Sequence, residues 1–304
     1  MTTPPRSWLF IPGDSERKLA KARATGAHAL IIDLEDAVTA ERKQAGRDLT
    51  GAWLREASAP EIDQPVWVRI NAVETGLWRD DLAAIMAGAP HGIMVPKAEG
   101  PDQIAAIGEH LDTLERVHGL PPGQTRILPL VSETARAAVT IPAYVSARLP
   151  RLAGLTWGAE DLGAAIGVTR KRDDHGRWTD AFRLVRAQTL LVAHALGVWA
   201  IDTLHADFRD DAGLALVASH AAADGFAGML AIHPGQVPVI NRAFAPDEAA
   251  LAEARAIVAA FAANPGVGAL QIDGKMIDQP HLRAARALLA LDQVAVAAGS
   301  GLAG

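Results

Sequence analysis

Acidic side chains recur in this sequence directly after short apolar segments. Eight such acids stand at or just beyond the ends of these segments: Asp33, Glu35, Asp36, Glu99, Glu133, Glu160, Asp161 and Asp202. If the segments are parallel strands of a barrel, their carboxyl ends meet at one mouth, where chemistry is normally placed. Carboxylates crowded there repel one another, and a bound cation is the simplest way to keep several ionised. The pattern therefore indicates a cation site built from oxygen ligands.

The residue types narrow the choice of cation. The chain has no cysteine and no His-Glu-x-x-His motif, and its ten histidines are scattered. Oxygen ligands from separate strand ends suit Mg²⁺, with Mn²⁺ as an alternative. Each acid taken singly has a simpler explanation, because Glu133 and Asp161 precede helical segments where acids act as caps. The convergence of several acids favours the functional interpretation.

Two basic residues belong to the same set of strand ends, and each allows two interpretations. Arg69 lies at the inner end of Val66–Ile70, so its buried charge needs an anion. It can pair with one of the acids, or it can clamp a substrate carboxylate in bidentate fashion. Lys97 can form a Schiff base with a carbonyl substrate, but surrounding carboxylates raise a lysine pKa. We therefore favour an electrostatic or structural role for Lys97.

Eight apolar segments of strand length alternate with helical patterns along residues 1–235. They are Trp8–Ile11, Ala29–Asp33, Val66–Ile70, Gly92–Val95, Ile127–Val131, Gly154–Trp157, Val198–Ile201 and Met229–Ile232. Eight such repeats predict an α/β fold of the (β/α)₈ TIM-barrel type. A doubly wound open sheet is the alternative, but no Gly-x-Gly-x-x-Gly turn follows any strand.

The pattern changes after the eighth segment. Residues 236–304 predict a C-terminal helical extension, or lid, with helices at Gln236–Ala243, Asp247–Ala263 and Pro280–Leu291. A loop is expected at Asn264–Asp278, and no further strong strand is predicted.

The composition limits the classes of function. The 304 residues are 50% hydrophobic and 21% charged, with a formal net charge of −6. This is the composition of a globular enzyme, and it disfavours a nucleic-acid binder. No signal peptide or membrane span is recognisable, and the absence of cysteine suits a reducing cytosol. We expect a cytoplasmic protein with no nucleic-acid or membrane partner.

Several short motifs, in order along the chain, resemble one known family. They are Arg6–Asp14, Asp33–Val38, Val68–Asn71, Val95–Lys97, Ser132–Thr134, Gly158–Leu162, Ile232–Gln236 and Asp273–Asp278. The sequence resembles the citrate lyase β-subunit-like (CitE-like) proteins of the HpcH/HpaI aldolase superfamily and is similar to malyl-CoA and citramalyl-CoA lyases. The resemblance implies a barrel with a lid, Mg²⁺, and a trimeric or hexameric homo-oligomer. It also implies cleavage or formation of a carbon–carbon bond in a CoA or acyl-carrier thioester.

The resemblance also assigns roles to residues of this sequence. Glu133 and Asp161 would be the metal ligands, and Arg69 would bind the carboxylate and oxyanion of the keto-acid fragment. Asp278 resembles the catalytic acid/base, which in such lyases reaches the active site of a neighbouring subunit. Without the resemblance, Asp278 would be interpreted as a cap for the helix starting near Pro280.

The remaining acids and bases receive weaker assignments. Glu35 and Asp36 match the acidic motif that lines the substrate site and supports the water shell of the metal. His233 is interpreted as a packed wall residue. A cluster of basic residues after the first strand either meets the CoA phosphates or forms a solvated helix face: Arg17, Lys18 and Lys21.

Two alternative activities stay open at this point. The same scaffold could carry a malyl-CoA thioesterase or a malate synthase-like activity. It could instead be a partner-dependent β-type subunit that cleaves a citryl thioester. The acyl group is not fixed, because one methyl group changes binding by only about 1–3 kcal/mol.

Overall fold

The computed structural model describes residues 4–57 and 64–300, with side chains up to residue 289. Eight parallel strands form one sheet, in the order β5-β4-β3-β2-β1-β8-β7-β6. The strands are β1 (Ser7–Pro12), β2 (Ala29–Asp33), β3 (Val66–Arg69), β4 (Gly92–Val95), β5 (Arg126–Pro129), β6 (Gly154–Thr156), β7 (Trp199–Asp202) and β8 (Gly228–Ala231). Parallel bridges join the β5 and β6 regions and close the ring. The predicted TIM barrel is confirmed.

Helices follow the strands and cover the outside of the sheet. They are α1 (Glu16–Leu19), α2 (Lys43–Ala57), α3 (Trp78–Ile85), α4 (Pro101–His118), α5 (Ala135–Thr140), α6 (Ala159–Ala165), α7 (Asp180–Leu196), α8 (Asp211–Asp224) and α9 (Gln236–Ala243). Short 3₁₀ segments extend some of these connections. None of the helices in the described ranges is long and apolar enough to cross a membrane.

Side chains of each strand point alternately into the barrel and towards the helices. Trp8, Ile31 and Trp67 belong to the cluster that fills the barrel, and the Trp8 and Trp67 rings lie 5.3 Å apart. Leu9 and Ile32 belong to the larger cluster between sheet and helices. The strands are apolar throughout because both faces are buried, as expected for a parallel sheet. The inward face continues to the strand ends, where the polar residues begin.

The chain divides into two compact units, Pro5–Phe244 and the residues from Ala245 onward. Helix α9 contacts α8, β1 and β8 and lies in the first unit. The division into functional domains at residues 235 and 236 stays a prediction.

The second unit contains α10 (Glu248–Ala263), α11 (Gln279–Ser300) and a two-stranded antiparallel hairpin. The hairpin strands are β9 (Ala269–Ile272) and β10 (Lys275–Asp278). The prediction of a strandless loop there is wrong. Asp273 and Gly274 form the two-residue turn, both at positive φ, which is the geometry that twists hairpin strands correctly.

Candidate functional site

An ion pair between β2 and β3 lies at the carboxyl end of the barrel. Asp33 and Arg69 are register partners, and both belong to the inward face. Arg69 donates from Nε to Oδ1 of Asp33 at 2.7 Å and from Nη2 to Oδ2 at 2.6 Å. Its guanidinium also lies 4.8 Å from the centre of the Phe10 ring. Nε and Nη2 of Arg69 are therefore both bound to Asp33, which leaves Nη1 to contact other groups.

Glu35 joins this pair to a second cation. Its Oε2 lies 3.0 Å from Nη1 of Arg69, and its Oε1 lies 2.5 Å from Nζ of Lys97. Asp36 is more exposed, and its Oδ2 lies 3.8 Å from each of the same two cationic groups. The residues of the predicted acidic motif thus surround two fixed positive charges.

Lys97 links the two sides of the mouth. Its backbone N–H donates to Oε2 of Glu133 at 2.7 Å, and its Nζ lies 3.4 Å from Oδ1 of Asp161. Burial alone would lower the pKa of Lys97, but the hydrogen bond to Glu35 and the surrounding carboxylates outweigh it and raise the pKa. A lysine that stays charged is a poor Schiff-base nucleophile. The structure agrees with an electrostatic role.

Glu133 is a deeply buried acid of the site, with only 4% of its surface exposed, and it lacks the bidentate arginine that pairs with Asp33. Burial, together with the charges of Glu35 and Asp161, raises the pKa of Glu133 to about 8, although Arg69 opposes the shift. The carboxylate packs against the backbone of Gly158, where a Cβ would stand 2.8 Å from Cγ and Oε1 of Glu133. A buried carboxylate without a full counter-charge is the ligand that a cation would stabilise.

A cavity of about 340 Å³ opens above these groups. Polar side chains that include Arg69, Glu133 and Asp161 line it together with apolar ones. No cluster of three or more potential metal ligands occurs within the described ranges. Two carboxylates beside open space fit Mg²⁺, which keeps several of its waters and uses one or two protein carboxylates.

Two of the eight strand-end acids, Glu99 and Asp202, lie away from this cavity and do not join the others. Asp202 follows Ile201, an inward residue, and therefore points outward. It accepts from Nε1 of Trp157 at 2.6 Å and from Nη2 of Arg186 at 2.8 Å. Glu99 accepts from Oγ1 of Thr134 at 3.2 Å. Both acids stabilise the connections between strands and helices.

Asp278 ends β10 in the second unit. Its Oδ1 lies 2.5 Å from Nδ1 of His281, one turn into α11. The hydrogen bond from His281 lowers the pKa of the Asp278 carboxyl. The hairpin is fixed by an apolar cluster in which Ile277 packs with residues of α10 and α11.

Sequence reasoning missed three contributions to the site. Phe10 underlies Arg69, and its position two residues after the inward Trp8 was the available signal. Gly158 allows Glu133 to approach the backbone, and a glycine at a strand end signals such close contact. The third is the backbone of Lys97, which has a φ of 48°. Nothing in the sequence indicates that conformation, because a non-glycine residue rarely adopts it.

Comparisons with known proteins agree with this geometry. Residues 6–234 match the family model described as HpcH/HpaI aldolase/citrate lyase. A mitochondrial citramalyl-CoA lyase from Rattus norvegicus is 31% identical over 304 residues, covering 95% of this chain and 86% of that protein. A (3S)-malyl-CoA thioesterase from Cereibacter sphaeroides is 32% identical over 299 residues, covering 98% of each chain.

Among solved structures, the protein CitE from Mycobacterium tuberculosis, in complex with magnesium, acetoacetate and coenzyme A, has a TM-score of 0.76 and 36% identity. The match covers 94% of this chain and 97% of that one. The family model spans most of the barrel, and it includes every residue of the cavity described above. The chain therefore belongs to the HpcH/HpaI aldolase/citrate lyase family, as its motifs predicted.

Proposed function

We propose that this protein is a Mg²⁺-dependent carbon–carbon lyase that cleaves or forms β-hydroxyacyl-CoA thioesters such as malyl-CoA or citramalyl-CoA. The observation that carries the proposal is the buried carboxylate of Glu133, which faces the cavity together with Asp161 beneath Arg69. A citramalyl-CoA lyase among the relatives and the CoA complex of the CitE structure support the substrate class.

Glu133 and Asp161 would hold the metal, with Glu35 and Asp36 supporting its water shell. When bound, Mg²⁺ supplies Lewis-acid polarisation and orients the hydroxy-acid end of the substrate. The protein's own contribution is to hold these carboxylates in place, since Nζ of Lys97 contacts Glu35, Asp36 and Asp161. Magnesium in the CitE structure supports the choice of ion.

Arg69 would bind the keto-acid fragment through Nη1. The bidentate pair with Asp33 keeps the guanidinium oriented, and Phe10 packs against it. A positive charge held in place before the reaction stabilises the oxyanion without reorganisation of solvent.

Asp278 would transfer the proton to or from the α-carbon of the thioester. Cleavage breaks the bond between the α-carbon of the thioester and the hydroxyl-bearing carbon. The hydroxyl gives its proton to solvent and becomes a carbonyl, the electron pair of the broken bond passes into the thioester enolate, and Asp278 takes up one proton from solvent before each turnover. The Asp278 carboxyl then protonates the enolate carbon to give acetyl-CoA. In the direction of synthesis the Asp278 carboxylate removes that proton, and its lowered pKa favours this ionised form.

The assembly and compartment are part of the same proposal. We infer a trimeric or hexameric homo-oligomer in the cytoplasm, with Asp278 acting in its own or a neighbouring subunit. The support is the resemblance of the lid motif to that of malyl-CoA and citramalyl-CoA lyases.

Hydrolysis is the second candidate, because the malyl-CoA thioesterase is as similar to this chain as the lyase is. It would require a water positioned to attack the thioester. The third candidate, a partner-dependent citrate lyase β-type subunit, is excluded as an obligate mode if the purified chain turns over substrate alone.

Incubation of the purified protein and Mg²⁺ with malyl-, methylmalyl-, citramalyl- and citryl-CoA separates these candidates. We expect acetyl-CoA, or its methylated homologue, together with a keto acid, as identified by mass spectrometry. Free CoA with an intact hydroxy acid would establish the thioesterase instead. No turnover of any of these substrates would leave only the partner-dependent role.

A further inference from the structure

We propose that Phe208 and His233 form a platform on which the adenine ring of the CoA carrier stacks. The inference rests on the proposed function, because it presumes a CoA thioester substrate. It adds a binding site for the nucleotide end of that substrate, outside the cavity where the acyl group reacts.

The two rings form an exposed stacked pair. Their centroids lie 5.0 Å apart, with an angle of 26° between the ring planes. Phe208 nevertheless keeps 45% of its surface exposed, and the guanidinium of Arg209 lies 5.7 Å from its ring. Aromatic rings and guanidinium groups in such an arrangement stack on nucleobases regardless of sequence.

A buried glutamine fixes the two loops that carry the pair. Gln236 donates from Nε2 to the carbonyl oxygen of His205 at 2.8 Å, in the loop that leads to Phe208. Its Oε1 accepts from the backbone N–H groups of Ile232 at 2.9 Å and His233 at 3.2 Å. The imidazole of His233 is also held, because its Nδ1 accepts from the backbone N–H of Gly235 at 3.1 Å. The platform is preorganised, which reduces the entropic cost of binding.

The pair continues the wall of the reaction cavity. Leu204 and Ile232 line that cavity and lie shortly before Phe208 and His233 in the same two loops. These loops follow β7 and β8, and β8 lies between β7 and β1 in the ring. The acids and bases of the reacting centre follow β2 to β6 instead. A substrate can therefore place its acyl end in one sector and its nucleotide end in the other.

The loop after β1 brings positive charge to the nucleotide sector. Lys18 lines the cavity and is exposed, and Arg17 and Lys21 lie in the same short stretch. Besides Asp14, which pairs with Arg42, the acids of this sector are Glu16, Asp207, Asp210 and Asp211. Two of them have local roles, since Asp207 accepts from the backbone N–H of Arg209 at 3.0 Å and Asp210 caps α8. The lysines and arginines are the groups that suit the CoA phosphates.

The platform distinguishes between the two kinds of carrier. Free CoA ends in an adenine nucleotide, whereas an acyl carrier protein presents phosphopantetheine without a base. An aromatic pair has a partner only in the first case. The geometry therefore points to free CoA thioesters as substrates.

Isothermal titration of the full-length protein with CoA and with 4′-phosphopantetheine tests the platform without requiring turnover. We expect Phe208→Ala to weaken CoA binding about tenfold, the loss typical of one stacked base. Phosphopantetheine binding should not change, because that ligand lacks adenine. Phe208→Tyr should retain CoA affinity, and Leu184→Ala, an exposed residue on α7, serves as the control.

Three results would overturn the inference. They are unchanged CoA affinity in Phe208→Ala, an equal loss for both ligands, and a wild-type protein that does not prefer CoA over phosphopantetheine. The proposed activity fails separately: a protein that shows the expected binding but cleaves no thioester keeps the platform and loses the lyase assignment. A wild-type lyase whose CoA affinity does not depend on Phe208 loses only the platform.

Discussion

At the scale of single residues, Glu133 owes its position to the backbones of two others. Lys97 adopts a left-handed conformation that directs its N–H to Glu133, and Gly158 leaves room for the carboxylate. A non-glycine residue at positive φ stores strain that surrounding contacts must offset, and such residues concentrate at functional sites. The proposed metal site is thus built from main-chain geometry as much as from acidic side chains.

Gly158→Ala tests that dependence. The added Cβ would stand 2.8 Å from Glu133, so the carboxylate must leave its present position. We expect the Mg²⁺ affinity to fall at least about tenfold, the range seen when support around metal ligands is lost. The measurement is a Mg²⁺ titration by calorimetry. Gly163→Ala on α6 is the matched control, because its Cβ would meet nothing closer than 3.4 Å; equal affinities in the two variants would contradict this account.

Magnesium binding should depend on pH through Glu133. Its pKa of about 8 in the metal-free protein means that Mg²⁺ must displace a proton at pH 7. The apparent affinity should therefore rise about tenfold per pH unit up to that pKa. Titrations in buffers of different ionisation enthalpy should show release of about one proton at pH 7. Proton release that persists in Glu133→Gln would assign the effect to another group.

The raised pKa of Glu133 also makes the stability of the folded protein depend on pH. The folded-state pKa of Glu133 lies above its ordinary value, so the metal-free protein loses stability as the pH rises from about 4.5 towards 8. Thermal unfolding across that range should show this loss in the wild type but less of it in Glu133→Gln.

The type of residue after a strand was enough to predict which acids lie near the barrel mouth. It was not enough to predict the face of the sheet to which each side chain points. The acids after β2, β5 and β6 were recognised as a group. Asp202 was misplaced because one position along a strand reverses the face to which a side chain points. The outward position of Asp202 could have been inferred from Ile201, which belongs to the barrel interior.

At the scale of elements, the eight barrel strands were predictable because each is buried on both faces and reads as a continuous apolar run. The hairpin β9–β10 was missed because its strands are mostly exposed or partly buried and lack the continuous apolar run of the barrel strands; Ile277 is their one buried residue. A signal was present in Asp273-Gly274, a dipeptide typical of two-residue hairpin turns. The consequence is that Asp278 stands at the end of a fixed strand.

Asp278→Asn tests the role of that strand end. We expect kcat to fall by about 10²- to 10⁴-fold, the usual loss for a general acid or base. Binding of Mg²⁺ and CoA should be retained, since neither ligand is assigned to Asp278. Asp273→Asn in the same hairpin is the control, because asparagine tolerates the left-handed conformation of that turn. A kcat within the range of this control would remove Asp278 from the mechanism.

At the scale of the whole molecule, the barrel mouth divides by charge. The acyl sector holds five carboxylates against the two cations Arg69 and Lys97. The proposed nucleotide sector carries Lys18 and the aromatic pair Phe208–His233. The formal net charge of −6 conceals this division. A divalent cation would offset the first sector, and a polyanionic carrier would meet the second. Composition alone could not show it, because charges distant in sequence become neighbours only in the closed ring.

The central claim is that Glu133 and Asp161 hold the metal of a carbon–carbon lyase. The most direct test is the rate of acetyl-CoA formation from malyl- and citramalyl-CoA as a function of Mg²⁺ concentration, in the wild type, Glu133→Gln and Asp161→Asn. We expect Mg²⁺-dependent formation of acetyl-CoA and a keto acid by the wild type and its loss in both variants, with the fold intact by circular dichroism. Full activity in either variant, or wild-type activity undiminished by excess EDTA, would contradict the claim.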